Sequence, residues 1–232
     1  MRYSEIICEA VTDPLETLLA FLTSIAAGEK PNNPPKSVYQ NRYSLTSHSL
    51  KLLGTSIESG WLVHFTEVPD AIMGTGFHGG RDHRLIGRTR GIKLDYGKDG
   101  YNYAYPVPSK EASYESSRVP TSGMDPYGDT ALFFKARYIR VYDRGDKQAQ
   151  AVFLGREANM AEVIRVVRES NWERYEANAR YDRRWNDPTY SKEERERDIK
   201  LIKQPANFWV IENGPLKGFK GPWAKVVAKV VA

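Results

Sequence analysis

The sequence predicts an α+β protein whose core is rich in antiparallel sheet, rather than a doubly wound parallel fold. Several short segments have the alternating or apolar pattern of strands, and few long helices separate them. The length of 232 residues allows one large domain, or one domain with an appendage. The chain is 41% hydrophobic and 27% charged, which excludes a largely disordered protein.

Residues 1–55 are predicted to form a helical segment followed by a linker, outside the main domain. Asp13 can cap a helix and Pro14 suits its first position. The Pro- and Asn-rich stretch 30–35 is a predicted loop, and a second, weaker helix is predicted over residues 38–53.

Residues 56–232 are predicted to form the main domain. A short helix is expected over residues 68–73. The C-terminal stretch, residues 222–232, fits either a basic amphipathic helix or a strand, because two lysines lie four positions apart among valines. The predicted strands cover residues 61–66, 101–105, 131–136, 138–142, 150–154 and 208–211.

A charged segment at about residues 172–203 is predicted to be a solvent-exposed helical insertion. It contains nine basic and eight acidic residues, and their signs interleave along the chain. It is read as one helix or as a pair of helices broken at residues 186–188, and Ser191 with Glu194 fits a capping box.

Composition excludes several classes of protein. The single cysteine, Cys8, excludes an internal disulfide framework. No metal site is expected, because no histidine pair has the spacing of ligands on one helix face. The uncharged runs are too short to cross a bilayer, and no secretory signal opens the chain, so we expect a cytoplasmic protein or one that works inside a host cell. A net charge of +5 favours anionic partners.

One predicted strand carries a polar pair on an otherwise apolar background. Alternation directs His64 and Thr66 to one face and Val63 and Phe65 to the other. A polar side chain on a buried strand is unfavourable unless it is paired or faces a cleft. His64 is therefore either a hydrogen-bonded core histidine or part of a binding site.

Two other predicted strands also concentrate polar or aromatic side chains on one face. Alternation groups Tyr101, Tyr103 and Tyr105, and it also groups Gln148 with Gln150. These tyrosines either pack at the boundary of the core or stack on a ligand.

Four short motifs follow one another along the chain: the His-Phe-Thr strand in residues 60–67, the glycine-rich residues 76–80, the tyrosine strand 100–105 and the Gly-Asp-to-Gly stretch 145–155. Their order and spacing resemble the ADP-ribosyltransferase-like superfamily, which includes toxin-type and poly(ADP-ribose) polymerase-type transferases. The resemblance covers about residues 55–160, and the chain is similar to tailed-phage proteins with such a domain.

The resemblance implies split antiparallel-rich sheets around a cleft that binds NAD as a co-substrate. By this resemblance, His64 hydrogen-bonds the adenosine-side ribose, with Thr66 beside it. Tyr103 or Tyr105 stacks on the nicotinamide. The bond to nicotinamide then breaks through an oxocarbenium-like state, which a nearby carboxylate stabilises.

The resemblance also implies basic residues that hold the pyrophosphate of NAD. Residues 79–110 carry seven basic and three acidic residues, a net charge of +4. Arg81 and Arg88 are the principal candidates, with Arg84 and Arg90 as further ones.

The sequence departs from the superfamily at the late strand, where transferases usually carry glutamate. Gln148 and Gln150 stand there instead, and glutamine cannot supply negative charge. Loss of such a group typically lowers the rate by about 10²–10³-fold. A carboxylate from elsewhere, such as Asp146 or Glu157, is an alternative source.

Two functions follow from the resemblance. The first is a phage mono-ADP-ribosyltransferase that has His64, Tyr103, Gln148 and Gln150 in its active site. It would modify a host protein or nucleic acid, either in the host cytoplasm or after packaging in a virion. The alternative is an inactive domain that binds nucleic acid or forms part of the virion. A phage accessory protein with neither property is the third reading.

Overall fold

The computed structural model describes residues 13–29, 50–78, 101–117, 128–143 and 147–232. Within these ranges the chain has the predicted mixed α+β architecture, and every strand pairing is antiparallel. The strands are β1 (Leu50–Leu52), β2 (Glu58–Thr66), β3 (Tyr101–Pro106), β4 (Thr130–Asp143), β5 (Gln148–Leu154), β6 (Ile164–Ser170), β7 (Asn207–Ile211) and β8 (Lys220–Gly221). The helices are α1 (Pro14–Ala26), α2 (Pro69–Thr75), α3 (Lys110–Ser117), α4 (Trp172–Arg184), α5 (Lys192–Ile202) and α6 (Trp223–Val231).

Four strands close into a small barrel. β2 pairs with β3, β3 with β5, β5 with β4, and β4 returns to β2. The long strand β4 closes the circuit because residues 130–138 pair with β2 while residues 139–143 pair with β5. The prediction of two separate strands in this region was therefore wrong, since one 14-residue strand runs through both.

The barrel interior is filled by apolar side chains from all four strands. Leu62, Phe134 and Phe153 belong to this cluster, and Phe77 packs against the last two with ring centroids 4.5 and 5.2 Å apart. These residues alternate with outward-facing ones, as expected for strands with two different faces.

The sheet continues beyond the barrel through β6, β7 and β8. α6 covers this part, and its buried residues Trp223, Val226 and Val230 join Trp209 in a second core cluster. The C-terminal stretch is therefore a helix, which decides between the two forms that the sequence allows.

α1 covers the outer face of the barrel near β3, β4 and β5. Its buried residues Leu15, Leu18 and Leu22 pack in a third core cluster. Asp13 caps the helix, as predicted, by accepting a hydrogen bond from the Leu15 amide at 2.9 Å. Asp13 also pairs with Arg137 of β4 at 2.6 Å, so the helix is fastened to the barrel at its first turn.

The C-terminal end of the helix predicted over residues 38–53 is a strand instead. Leu50–Leu52 form β1, which pairs with β4 in register Lys51↔Tyr142. The rest of that predicted helix, residues 38–49, lies outside the described residues. The boundary proposed at residue 55 remains a prediction, although α1 and β1 both contact β4.

The charged segment is helical, as predicted, and it forms a hairpin of two helices, α4 and α5, rather than one helix. The Ser191–Glu194 capping box is present at the start of α5. Between the helices, Asp198 is 1% exposed and accepts hydrogen bonds from Arg180 at 2.9 Å and Tyr190 at 2.8 Å.

Candidate functional site

His64 lies where β2 and β3 separate. The two strands pair at Leu62↔Pro106 and Val63↔Tyr105, and the ladder ends there. One residue further, the His64 Nδ1 atom lies 2.9 Å from the main-chain oxygen of Tyr103. The histidine side chain therefore bridges the two strands at the point where their main chains stop pairing.

This geometry determines which nitrogen of His64 carries hydrogen. A carbonyl oxygen only accepts, so Nδ1 donates and Nε2 holds a lone pair in the neutral ring. Burial lowers the pKa of His64, although the hydrogen bond to Tyr103 acts in the opposite direction. The imidazole is therefore neutral at neutral pH, and Nε2 can accept a hydrogen bond from a hydroxyl group.

The surroundings of His64 confirm the predicted alternation along β2. Its ring packs edge-on against Phe77, with centroids 5.4 Å apart, on the side of the barrel interior. Val63 and Phe65 point the other way, into the cluster beneath α6. The Nε2 atom has no hydrogen-bonding partner among the residues that the structure describes.

Thr66 has a local structural contact at the end of β2. Its Oγ1 accepts a hydrogen bond from the Val68 amide at 3.0 Å, which fixes the turn into α2. The side chain is buried. The contact to Val68 gives the hydroxyl a role in the fold, and a role of Thr66 beside a bound ribose stays a prediction.

The predicted tyrosine face of β3 also forms. Tyr101 and Tyr103 both belong to the outer cluster beneath α1, and Tyr105 continues the same alternation. Tyr105 is buried against Phe65, with centroids 6.1 Å apart, whereas Tyr103 is half-buried. Of the two tyrosines considered for stacking, Tyr103 therefore has the more accessible ring.

Gln148 joins Tyr105 to a carboxylate that the sequence did not reveal. The Tyr105 hydroxyl donates to Gln148 Oε1 at 2.7 Å, and Gln148 Nε2 donates to Glu115 Oε1 at 3.0 Å. Glu115 lies on α3 and is only 4% exposed. Gln150 lies two residues along β5, on the same face as Gln148, and is also buried.

The only sequence signal for Glu115 is its spacing. Ala112, Glu115 and Ser116 are buried at positions i, i+3 and i+4 of α3, which is the pattern of an inward helix face. Ser109 begins this helix by accepting a hydrogen bond from the Ala112 amide at 3.1 Å.

The predicted site residues therefore form two groups. His64 faces the barrel interior, whereas Tyr105, Gln148 and Gln150 lie on the outer face of the sheet. Tyr103 connects the groups, because its main-chain oxygen contacts His64 and its side chain lies on the outer face.

The other candidate acidic and basic residues lie elsewhere. Glu157 pairs with Arg137 at 3.8 Å, just beyond the end of β5 opposite to Gln148. A seven-residue strand spans about 20 Å, so Glu157 is far from Gln148. Asp146 and the candidate pyrophosphate ligands lie outside the described residues: Arg81, Arg84, Arg88 and Arg90.

No protein-family model, curated protein or solved structure matches this chain. In the described ranges, no three His, Cys, Asp or Glu side chains are grouped as they would be around a metal ion. No helix in that part of the chain is both long and apolar enough to span a membrane.

Proposed function

We propose that this protein binds NAD where β2 and β3 separate and transfers ADP-ribose to a host protein or nucleic acid. The observation that carries the proposal is the hydrogen bond from His64 Nδ1 to the Tyr103 oxygen. It fixes a neutral imidazole at the end of the β2–β3 ladder, with Nε2 directed away from its main-chain partner.

The residues at the end of this ladder suit a dinucleotide. Nε2 of His64 is an acceptor for a ribose hydroxyl, and the half-buried Tyr103 ring offers a surface for a planar base. We place the ligand beside His64 and Tyr103, where the β2–β3 ladder stops at Val63. The split-sheet, ADP-ribosyltransferase-like cleft is part of this proposal.

ADP-ribosyl transfer needs little covalent chemistry from the protein. The bond between the ribose carbon and nicotinamide breaks, and its electron pair leaves with nicotinamide. The acceptor then adds to the same carbon and loses a proton. The protein contributes orientation of the ribose and negative charge near the developing cation.

The alternative is an inactive domain that binds nucleic acid or belongs to a virion. Its support is the pair of neutral residues at the late strand, Gln148 and Gln150. The charged hairpin supports it less, because Arg180 and Arg184 are already paired with acidic side chains. NAD binding without turnover, together with salt-dependent binding of DNA or RNA, would favour this alternative.

Calorimetric titration with NAD tests the proposal directly. We expect the wild-type protein to bind NAD and His64→Ala to bind it at least about tenfold more weakly, because one hydrogen bond is lost. His78→Ala is the matched control, since His78 is exposed and lies just after α2. Thermal unfolding of each variant verifies that the fold is retained.

Two results would contradict the proposal. One is the absence of heat for the wild-type protein at concentrations that detect millimolar affinity. The other is equal affinity in the wild-type and His64→Ala proteins, which would place any NAD site elsewhere.

A further inference from the structure

We propose that Glu115 on α3 supplies, through Gln148, the negative charge that the late strand lacks. This inference rests on the proposed function, because it assigns a positioning residue to the same reaction. The carboxylate would act from a helix behind β5 rather than from the strand itself.

The geometry orders Gln148 in a single orientation. Its Oε1 accepts from the Tyr105 hydroxyl at 2.7 Å, and its Nε2 donates to Glu115 at 3.0 Å. A carboxylate can only accept, so reversing the amide would place Gln148 Oε1 against Glu115 and lose that contact, whereas the Tyr105 hydroxyl could accept instead of donating. The contact with Glu115 therefore fixes the Gln148 amide with its Oε1 atom toward the Tyr105 hydroxyl.

Burial strengthens the electrostatic effect of the Glu115 carboxylate on its neighbours. The side chain is 4% exposed, and α3 holds it against the sheet. Charges interact more strongly away from bulk water, so a carboxylate here acts on groups beyond Gln148 more than an exposed one would. A hydrogen bond to a carboxylate also polarises the amide, which increases the negative character of its oxygen.

This arrangement supports the same step without a strand glutamate. When nicotinamide leaves with the bonding electron pair, positive charge develops on the ribose. Water can serve as the acceptor, adding to the ribose carbon and releasing its proton to solvent. Glu115 stabilises the developing charge through the polarised Gln148 amide and the Tyr105 hydroxyl, without touching the substrate.

Moving the carboxylate from position 115 to position 148 tests this role. Glu115→Gln alone removes the charge, and we expect kcat for nicotinamide release from NAD to fall by about 10²-fold with KM little changed. The double variant Glu115→Gln with Gln148→Glu moves the carboxylate to the strand and retains both partners of the hydrogen bond. We expect kcat of the double variant to be at least about tenfold higher than that of Glu115→Gln.

Glu111→Gln is the control, because it removes a charge from the same helix one turn earlier. Glu111 is half-buried, and no polar contact is assigned to it within the described residues. We expect kcat for this variant to equal that of the wild-type protein. NAD affinity by calorimetry should be the same in all four proteins.

The outcomes separate the two proposals. If the wild-type protein binds no NAD, both are overturned. If it binds NAD but releases no nicotinamide, the role of Glu115 and the transfer of ADP-ribose are both overturned, while the NAD site stands. If Glu115→Gln keeps full kcat, only the role of Glu115 is overturned. Equal loss in the single and double variants would show a structural role alone. If Glu115→Gln does not fold, the double variant decides: kcat within about tenfold of wild type supports the role, and a loss beyond 100-fold overturns it.

Discussion

Tyr138 shows how one hydroxyl links stability to pH. It pairs with Glu58 across the β2–β4 ladder, and its hydroxyl donates to Glu58 Oε2 at 2.9 Å. Burial, followed by the neighbouring carboxylate, raises the pKa of Tyr138 to about 12. The folded protein therefore favours the protonated phenol over the phenolate.

We predict that Tyr138 makes the fold less stable at alkaline pH. An ordinary tyrosine has a pKa of about 10, so its stabilising contribution is complete below that pH. The contribution is lost as the pH rises from about 10 to about 12, where the folded phenol ionises. Urea unfolding of wild-type and Tyr138→Phe proteins across this range should give curves that converge with pH. Parallel curves would contradict the assignment.

At the level of single residues, the candidate site was only partly predictable from the sequence. The alternation that separates His64 from Val63 needs only the period of a strand, and the structure confirms it. The contact between Gln148 and Glu115 joins residues 33 positions apart, and it depends on how α3 packs on the sheet. A local sequence pattern contains no information about that packing.

The helices provide two tests at the level of secondary structure. In the hairpin, the hydrogen bond from Arg180 lowers the pKa of Asp198, and Tyr190 adds to this effect. The ionised Asp198 carboxylate therefore contributes to stability above the ordinary aspartate pKa of about 4. This contribution is lost as the pH falls through the lower value in the folded state.

Asp198→Ala should destabilise the hairpin by about 2–4 kcal/mol, because Arg180 and Tyr190 lose a buried partner. Glu196→Ala on the same helix removes an exposed ion pair with Lys192 and should cost under about 1 kcal/mol. Chemical unfolding followed by far-ultraviolet circular dichroism measures both. Equal effects would show that burial of Asp198 contributes little.

Leu18→Ala tests whether α1 is integral to the core. Leu18 is fully buried beneath the outer face of the barrel, so its truncation should cost about 2–5 kcal/mol. Thr23→Ala, at an exposed position of α1, should change stability by less than about 0.5 kcal/mol. An unchanged unfolding midpoint for Leu18→Ala would mean that α1 contributes nothing to the cooperative unit.

Arg137 lies between the two segments that were predicted as separate strands, residues 131–136 and 138–142. Its side chain pairs with Asp13 at 2.6 Å, and the main chain continues through it as part of β4. The partner is 124 residues away, so the continuity of the strand could not be derived from its neighbours in sequence.

For the whole molecule, composition and periodicity were sufficient for the α+β class and for most helices and strands. Barrel closure was not predictable, because it depends on pairing between distant strands. The β2–β4 register joins Thr66 to Thr130 and Glu58 to Tyr138. Such pairs result from the global packing, whereas alternation within a strand determines only which face is buried.

The closed circuit of strands also constrains the order of events during synthesis. β2 emerges from the ribosome early but finds its principal neighbour only after β4 has been made, more than sixty residues later. Loop closure over such separations is slow, and native pairings this distant are associated with folding in milliseconds to seconds. The nascent chain must therefore hold most of the apolar β2 unpaired until β4 has emerged. During that interval, chaperones have the greatest opportunity to bind it.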